Sequence, residues 1–88
     1  MKRIKLENDC YKEISYWHSN KTQIKYIDYF NSKDELHRLN GPASIWYNMD
    51  SIVISIYYFI NDVEYSKEEF NKKLNIERNL KLLNKVYL

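Results

Sequence analysis

The sequence predicts an α+β domain: an antiparallel β-meander of four to six strands, built from two ~30-residue repeats and followed by a C-terminal helix broken near Asn75. Three observations carry this. Apolar residues alternate with a period of two over residues 24–30 and 52–60, two segments match at an offset of 30, and the period turns helical after Tyr65. Residues 1–65 are read as a β-hairpin repeat region and 66–88 as a helical segment of the same single domain.

Met1 to Glu7, with Ile4 and Leu6 on one face, reads as an edge strand. Glu13 to His18 reads as a second strand, and Ser19-Asn20-Lys21 as a turn. Gln23 to Phe30 is the third: Ile24, Tyr26, Asp28 and Phe30 point one way, and Lys25, Ile27 and Tyr29 the other. Asn31 to Leu39 is polar and reads as a loop. Asn40-Gly41-Pro42 is a strong turn signal, since it holds the one glycine and the one proline of the chain. Ala43 to Tyr47 is a fourth strand, and Asn48-Met49-Asp50-Ser51 a turn without glycine. Ile52 to Ile60 is apolar on both faces, which predicts a strand that is central or covered on both sides. Asn61-Asp62 is a hairpin turn, and Val63 to Tyr65 a short return strand.

Ser66-Lys67-Glu68-Glu69 is a capping box, and Tyr65 and Phe70 stand in the positions of a hydrophobic staple. Phe70 and Leu74 share one stripe of the helix that follows; Ile76, Leu80, Leu83 and Tyr87 share another. The rotation between the stripes predicts a break near Asn75, which would be a new N-cap. Leu82 and Val86 add a second apolar face, more than one small sheet requires.

The two matching segments align Tyr16-Trp17 with Trp46-Tyr47, Asn20 with Asp50, Ile24 with Ile54, Tyr29-Phe30 with Phe59-Ile60, and Asn31 with Asn61. Two copies fall below the usual minimum for a stacked array, so the helix is expected to cap it.

Eighty-eight residues make one thin-cored domain, 44% hydrophobic and 30% charged. One cysteine, Cys10, forms no internal disulfide. The start, Met1-Lys2-Arg3-Ile4, does not resemble a signal peptide, and no apolar run is long enough for a bilayer. A cytoplasmic protein is expected, so Asn20-Lys21-Thr22 has no meaning as a glycosylation acceptor. The net charge of +2 does not by itself imply nucleic acid, but residues 66–88 carry six Lys/Arg against three Asp/Glu. The wealth of Lys, Asn, Ile and Tyr suggests AT-rich coding, as in a low-GC bacterium, its phage or a large DNA virus.

Leu36-His37-Arg38-Leu39-Asn40-Gly41-Pro42-Ala43 resembles the LHR-x-x-GPA signature of a repeat found in phage, giant-virus and some bacterial proteins, similar in style to MORN-type β-hairpin repeats. Tyr57 to Phe70 resembles the last unit of such arrays, which runs into a helix. The resemblance spans about residues 13–72 and departs where Ser51 and Asp62 stand for glycines. It implies a hairpin array without known enzymatic activity, and it supplies no binding residues.

Cys10 with His18 lacks the third orienting group of a nucleophilic site. Cys10, His18 and His37 lack metal-ligand spacing. His37-Arg38 is read as making linker hydrogen bonds that fix hairpin register. Asp34-Glu35 falls in a loop and Glu68-Glu69 at a helix N-terminus, where the dipole favours acids. No catalytic, metal or cofactor site is therefore expected.

Aromatics make up 16% of the chain, more than a thin core can bury. Contact surfaces built on aromatic anchors are a common use of such residues. Trp17, Tyr29, Tyr57, Leu82, Val86 and Tyr87, with Lys81 and Lys85, are the candidate partner-binding residues. The expected function is stoichiometric binding to a host protein or ribonucleoprotein. By association with the sources of the resembling repeat, this would be a phage or mobile-element inhibitor of a host defence system, such as an anti-CRISPR acting on a CRISPR effector. Ranked below it are nucleic-acid binding through a Tyr-rich sheet with Lys12, Lys21, Lys25 and the basic tail, and self-association through the terminal helix.

Overall fold

A computed structural model describes residues 1–18 and 21–76. The strands are β1 (Lys2–Lys5), β2 (Tyr11–Tyr16), β3 (Ile24–Phe30), β4 (Ser44–Tyr47), β5 (Val53–Ile60) and β6 (Val63–Tyr65). They form one sheet in sequence order, every neighbouring pair antiparallel. A helix, α1, follows over residues 67–76. The expected meander is therefore observed, with six strands.

Register sorts the side chains into rows that cross the sheet. Ile14, Ile27, Ile45 and Ile56 stand opposite one another in turn across four strands. On the other face Arg3, Glu13, Asp28, Ser44 and Tyr57 make a polar row. Beside it Tyr26 packs on Trp46, ring centroids 4.8 Å apart. Such cross-strand pairs are the unit of sheet stabilisation. Bonds join this face in two pieces: Trp46 Nε1 donates to Ser44 Oγ (3.1 Å) and Ser44 Oγ to Asp28 Oδ1 (2.6 Å), while Arg3 pairs with Glu13 at 2.7 Å. Partial burial pushes the Asp28 carboxyl above its ordinary range, opposed by the Ser44 bond and assisted by Glu13.

Two loops share one design. Asn31 Oδ1 accepts from the amides of Lys33 and Glu35, and Asn48 Oδ1 from those of Asp50 and Ile52. In both, the Asn amide donates to the carbonyl four residues on, and the amide three residues on donates back to the Asn carbonyl. The fourth residue is left-handed, Asp34 at φ 63° and Ser51 at φ 64°. The β2–β3 turn repeats part of this: Lys21 N donates to His18 O and Lys21 has φ 59°. Asn61 and Asp62 both have positive φ, as a two-residue type I′ turn requires.

The segment between β3 and β4 is an interrupted strand. Leu36 bridges Phe30, His37 N donates to Tyr29 O, and Arg38 N donates to Phe59 O. Leu36 to Arg38 thus fills the column of β4 between β3 and β5. Leu39 to Pro42 loops out, and the column resumes at Ala43, which bonds Tyr29 and Tyr57. The expected linker bonds of His37 and Arg38 are present: His37 Nδ1 accepts from the Asn61 amide (3.1 Å), and Arg38 Nη1 donates to Pro42 O.

The helix starts as expected. Ser66 N donates to Glu69 Oε1 and Glu69 N to Ser66 Oγ, completing the capping box. These bonds hold the Glu69 carboxyl below its ordinary range. Phe70 is buried against Tyr58, centroids 4.8 Å apart.

Two expectations are corrected. The second strand runs Tyr11–Tyr16, so it starts two residues early, and it ends before Trp17 and His18, which belong to the turn. Asn75 is helical and is no N-cap, since an interior Asn costs only a few tenths of a kcal/mol; a break beyond Ile76 would lie outside the described residues. The strand over 52–60 has a neighbour on each side in the sheet, but Ile54, Ile56 and Tyr57 are exposed, as described below.

Replacing Ser51 by Gly should raise stability by about 1 kcal/mol, since only glycine is unstrained at that φ. Asn48→Ala should cost about 1–2 kcal/mol by orphaning two amides. Urea titration measures both. Because the Asp28 pKa is raised on folding, its contribution is full below the unfolded pKa and lost as pH rises through the folded one. Asp28→Asn should therefore gain stability relative to wild type as pH rises above the ordinary carboxylate pKa of 3.8.

Candidate functional site

The β5 strand is eight residues long, but its outer partner β6 covers only Tyr58 to Ile60. Val53 to Tyr57 pair with β4 on one side. On the other side no strand among the described residues meets them. The cause is local: the type I′ turn returns the chain for three residues, and the Ser66 cap then diverts it into α1. A length of main chain is left with one edge unpaired.

The side chains along this edge are apolar and exposed. Ile54 is 59% exposed, Ile56 44% and Tyr57 41%. Ile52, Val53 and, across the turn, Val63 extend the patch, each at least half exposed. Residues 52–60 contain no Lys, Arg, Pro or Gly. Natural edge strands are normally blunted by charges, prolines or bulges. The β4–β5 pair has an irregularity, at Trp46/Tyr47, yet β5 itself carries no guard along its open side. The Ile row of the inner face thus ends in open solvent at Ile56.

Of the candidate residues, Tyr57 belongs to this edge. Trp17 does not: half-buried, it donates Nε1 to Tyr47 O at 3.2 Å and lies under Lys25, 5.1 Å from its ring. It ties the β2–β3 turn to the end of β4. Tyr29 lies elsewhere too, with Arg38 3.9 Å and Lys12 6.0 Å from its ring centroid. The three aromatics are not gathered into one site. Leu82, Val86, Tyr87, Lys81 and Lys85 lie outside the described residues. Ile52, Val53, Ile54 and Ile56 stand on this edge without being among the candidates; their signal in the sequence is the apolar run of 52–60, interrupted by Ser55 alone, which a buried strand would show equally.

Cys10 and His18 stand beyond opposite ends of β2, roughly 25 Å apart along an extended chain, so they do not form a dyad. Among the described residues no group of three His, Cys, Asp or Glu is placed to hold a metal, and no helix is long and apolar enough to cross a membrane. The Tyr11 hydroxyl donates to Asp34, which raises its pKa, and the Glu13 bond raises that of Arg3.

The chain matches no protein-family model, no curated protein and no solved structure.

If the β5 edge is a true surface, Ile54→Lys should change unfolding free energy by less than about 0.5 kcal/mol. Ile27→Ala, in the middle of the same face, should cost about 1–3 kcal/mol. Parallel denaturant titrations of the two variants check this.

Proposed function

We propose that the chain is a non-enzymatic protein-binding module that acts by stoichiometric contact, with a partner's extended segment pairing along the open edge of β5. The observation that carries this reading is the coincidence of unpaired main chain with exposed Ile54, Ile56 and Tyr57 on one unguarded strand. Main-chain bonds would give affinity, and pockets between alternate side chains specificity. The resemblance to phage and giant-virus repeats, with the AT-rich coding bias, supports a finer reading: an inhibitor of a host defence complex such as a CRISPR effector, working in the host cytoplasm.

Nucleic-acid binding draws less support. Base stacking needs free aromatic faces. Here Tyr11 stacks on Phe30, Tyr26 packs on Trp46 and Tyr58 on Phe70.

The test is co-purification of the tagged chain with an RNA-guided nuclease complex from the host. A near 1:1 complex is expected that persists at about 0.5 M salt, where exposed charge pairs are screened, and that Ile54→Lys abolishes. A complex that dissolves with salt and is indifferent to Ile54→Lys would favour nucleic acid and overturn the reading.

A further inference from the structure

A second feature lies away from the β5 edge. A cleft of about 820 Å³ opens where the β1–β2 connection faces the looped-out segment after Arg38. Tyr29 and Phe30, at the end of β3, line it between these two walls. Its size falls within the range of small-molecule sites and far exceeds that of a lone oxyanion.

The polar groups left unspent around this cleft are nearly all donors. Arg38 is fixed: its guanidinium stacks over Tyr29 at 3.9 Å, Nε donates to Asn40 Oδ1 and Nη1 to Pro42 O. Gly41 makes room for it, since a Cβ there would stand 3.2 Å from Nη1. None of these partners is a carboxylate, and Nη2 keeps its hydrogens. Lys12 is likewise without an acidic partner among the described residues; its ammonium lies 6.0 Å from the same ring. Lys5 pairs with Asp9, at 3.9 Å with both side chains about four-fifths exposed.

Of the remaining polar groups, Asn8 keeps both its side-chain donor and its acceptor, and His37 and Asn40 have their acceptors already engaged. His37 Nδ1 is taken by the Asn61 amide, so the imidazole offers Nε2–H. Asn40 Oδ1 is taken by Arg38, so the amide offers its NH₂. Against three full cations the lining has one carboxylate, Glu7. Leu6, Phe30 and Leu39 supply apolar surface beside these donors.

We propose that this cleft binds a phosphate monoester on an apolar or aromatic body, of about mononucleotide size. A phosphate ester brings close to two negative charges and three acceptor oxygens, which match the excess of cations and donors. Arg38 Nη2, held in place by the bonds of Nε and Nη1, donates to such oxygens, and its fixing lowers the ordering cost of binding. The volume beyond the phosphate is filled by the organic body against Leu6, Phe30 and Leu39.

Calorimetric titration of the full chain with AMP, adenosine and inorganic phosphate tests this. AMP should saturate a single site, and adenosine and phosphate should each bind at least about tenfold more weakly. Lys12→Gln should weaken AMP about five- to tenfold, and Glu7→Gln should tighten it several-fold. Neither side chain makes a hydrogen bond the fold depends on, and circular dichroism of both variants confirms folding. No AMP binding up to about 1 mM, equal binding of AMP and adenosine, phosphate as good as AMP, or indifference to both substitutions would each overturn the proposal. The cleft and the β5 edge lie on different strands, so Ile54→Lys should leave AMP binding unchanged.

Discussion

The described part of this molecule is a sheet without a second layer across most of its width, and that absence governs the rest. Ile14, Ala43, Ile60 and Phe70 are its buried apolar residues, and only Phe70 comes from outside the sheet column. Small domains normally pack one layer on another around a core. Here cohesion runs sideways instead, from strand to strand. The isoleucine row, the Arg3–Glu13 and Asp28–Ser44 pairs and the Tyr26–Trp46 pair each join neighbouring strands in the plane of the sheet. A sheet held this way depends on register, because a slip of one residue would exchange the isoleucine row for the charged one.

Register is in turn set at the turns. Asn31 and Asn48 each cage a five-residue loop with one side-chain oxygen, and the interrupted strand of Leu36 to Arg38 pins β3 to β5 beyond the start of β4. Arg38 links this device to the cleft. The same guanidinium that closes the Leu39–Pro42 loop also stacks on Tyr29. Structure and the proposed anion site therefore share one side chain, which is why Lys12 and Glu7 report on binding more cleanly than Arg38 does.

Local chemistry was legible in the residues themselves. The Ser66–Glu69 box, the Asn61-Asp62 turn and the alternation of β3 are written in short patterns whose physics is self-contained, and the structure has each of them. The β5 edge was not legible for a specific reason. A run apolar on both faces has the same pattern whether its strand is paired and covered along its whole length or open along part of one side. What decides between them is the length of β6, and no residue of β5 records that. Asn75 is ambiguous in a similar way, because a capping residue type is also tolerated inside a helix, where Asn75 stands. The cleft was out of reach, since Lys5, Lys12 and Arg38 are separated in sequence and only the two loops bring them together.

The 30-residue period has a structural meaning that goes beyond similarity. Residues at equivalent places touch one another: Trp17 reaches Tyr47, and the Asn31 amide reaches Asn61 Oδ1 at 3.0 Å. Each unit thus carries both halves of the joint that binds it to the next, like a link that holds its own hook and eye. A chain built on such joints can be lengthened by copying a unit, with no new interface to invent.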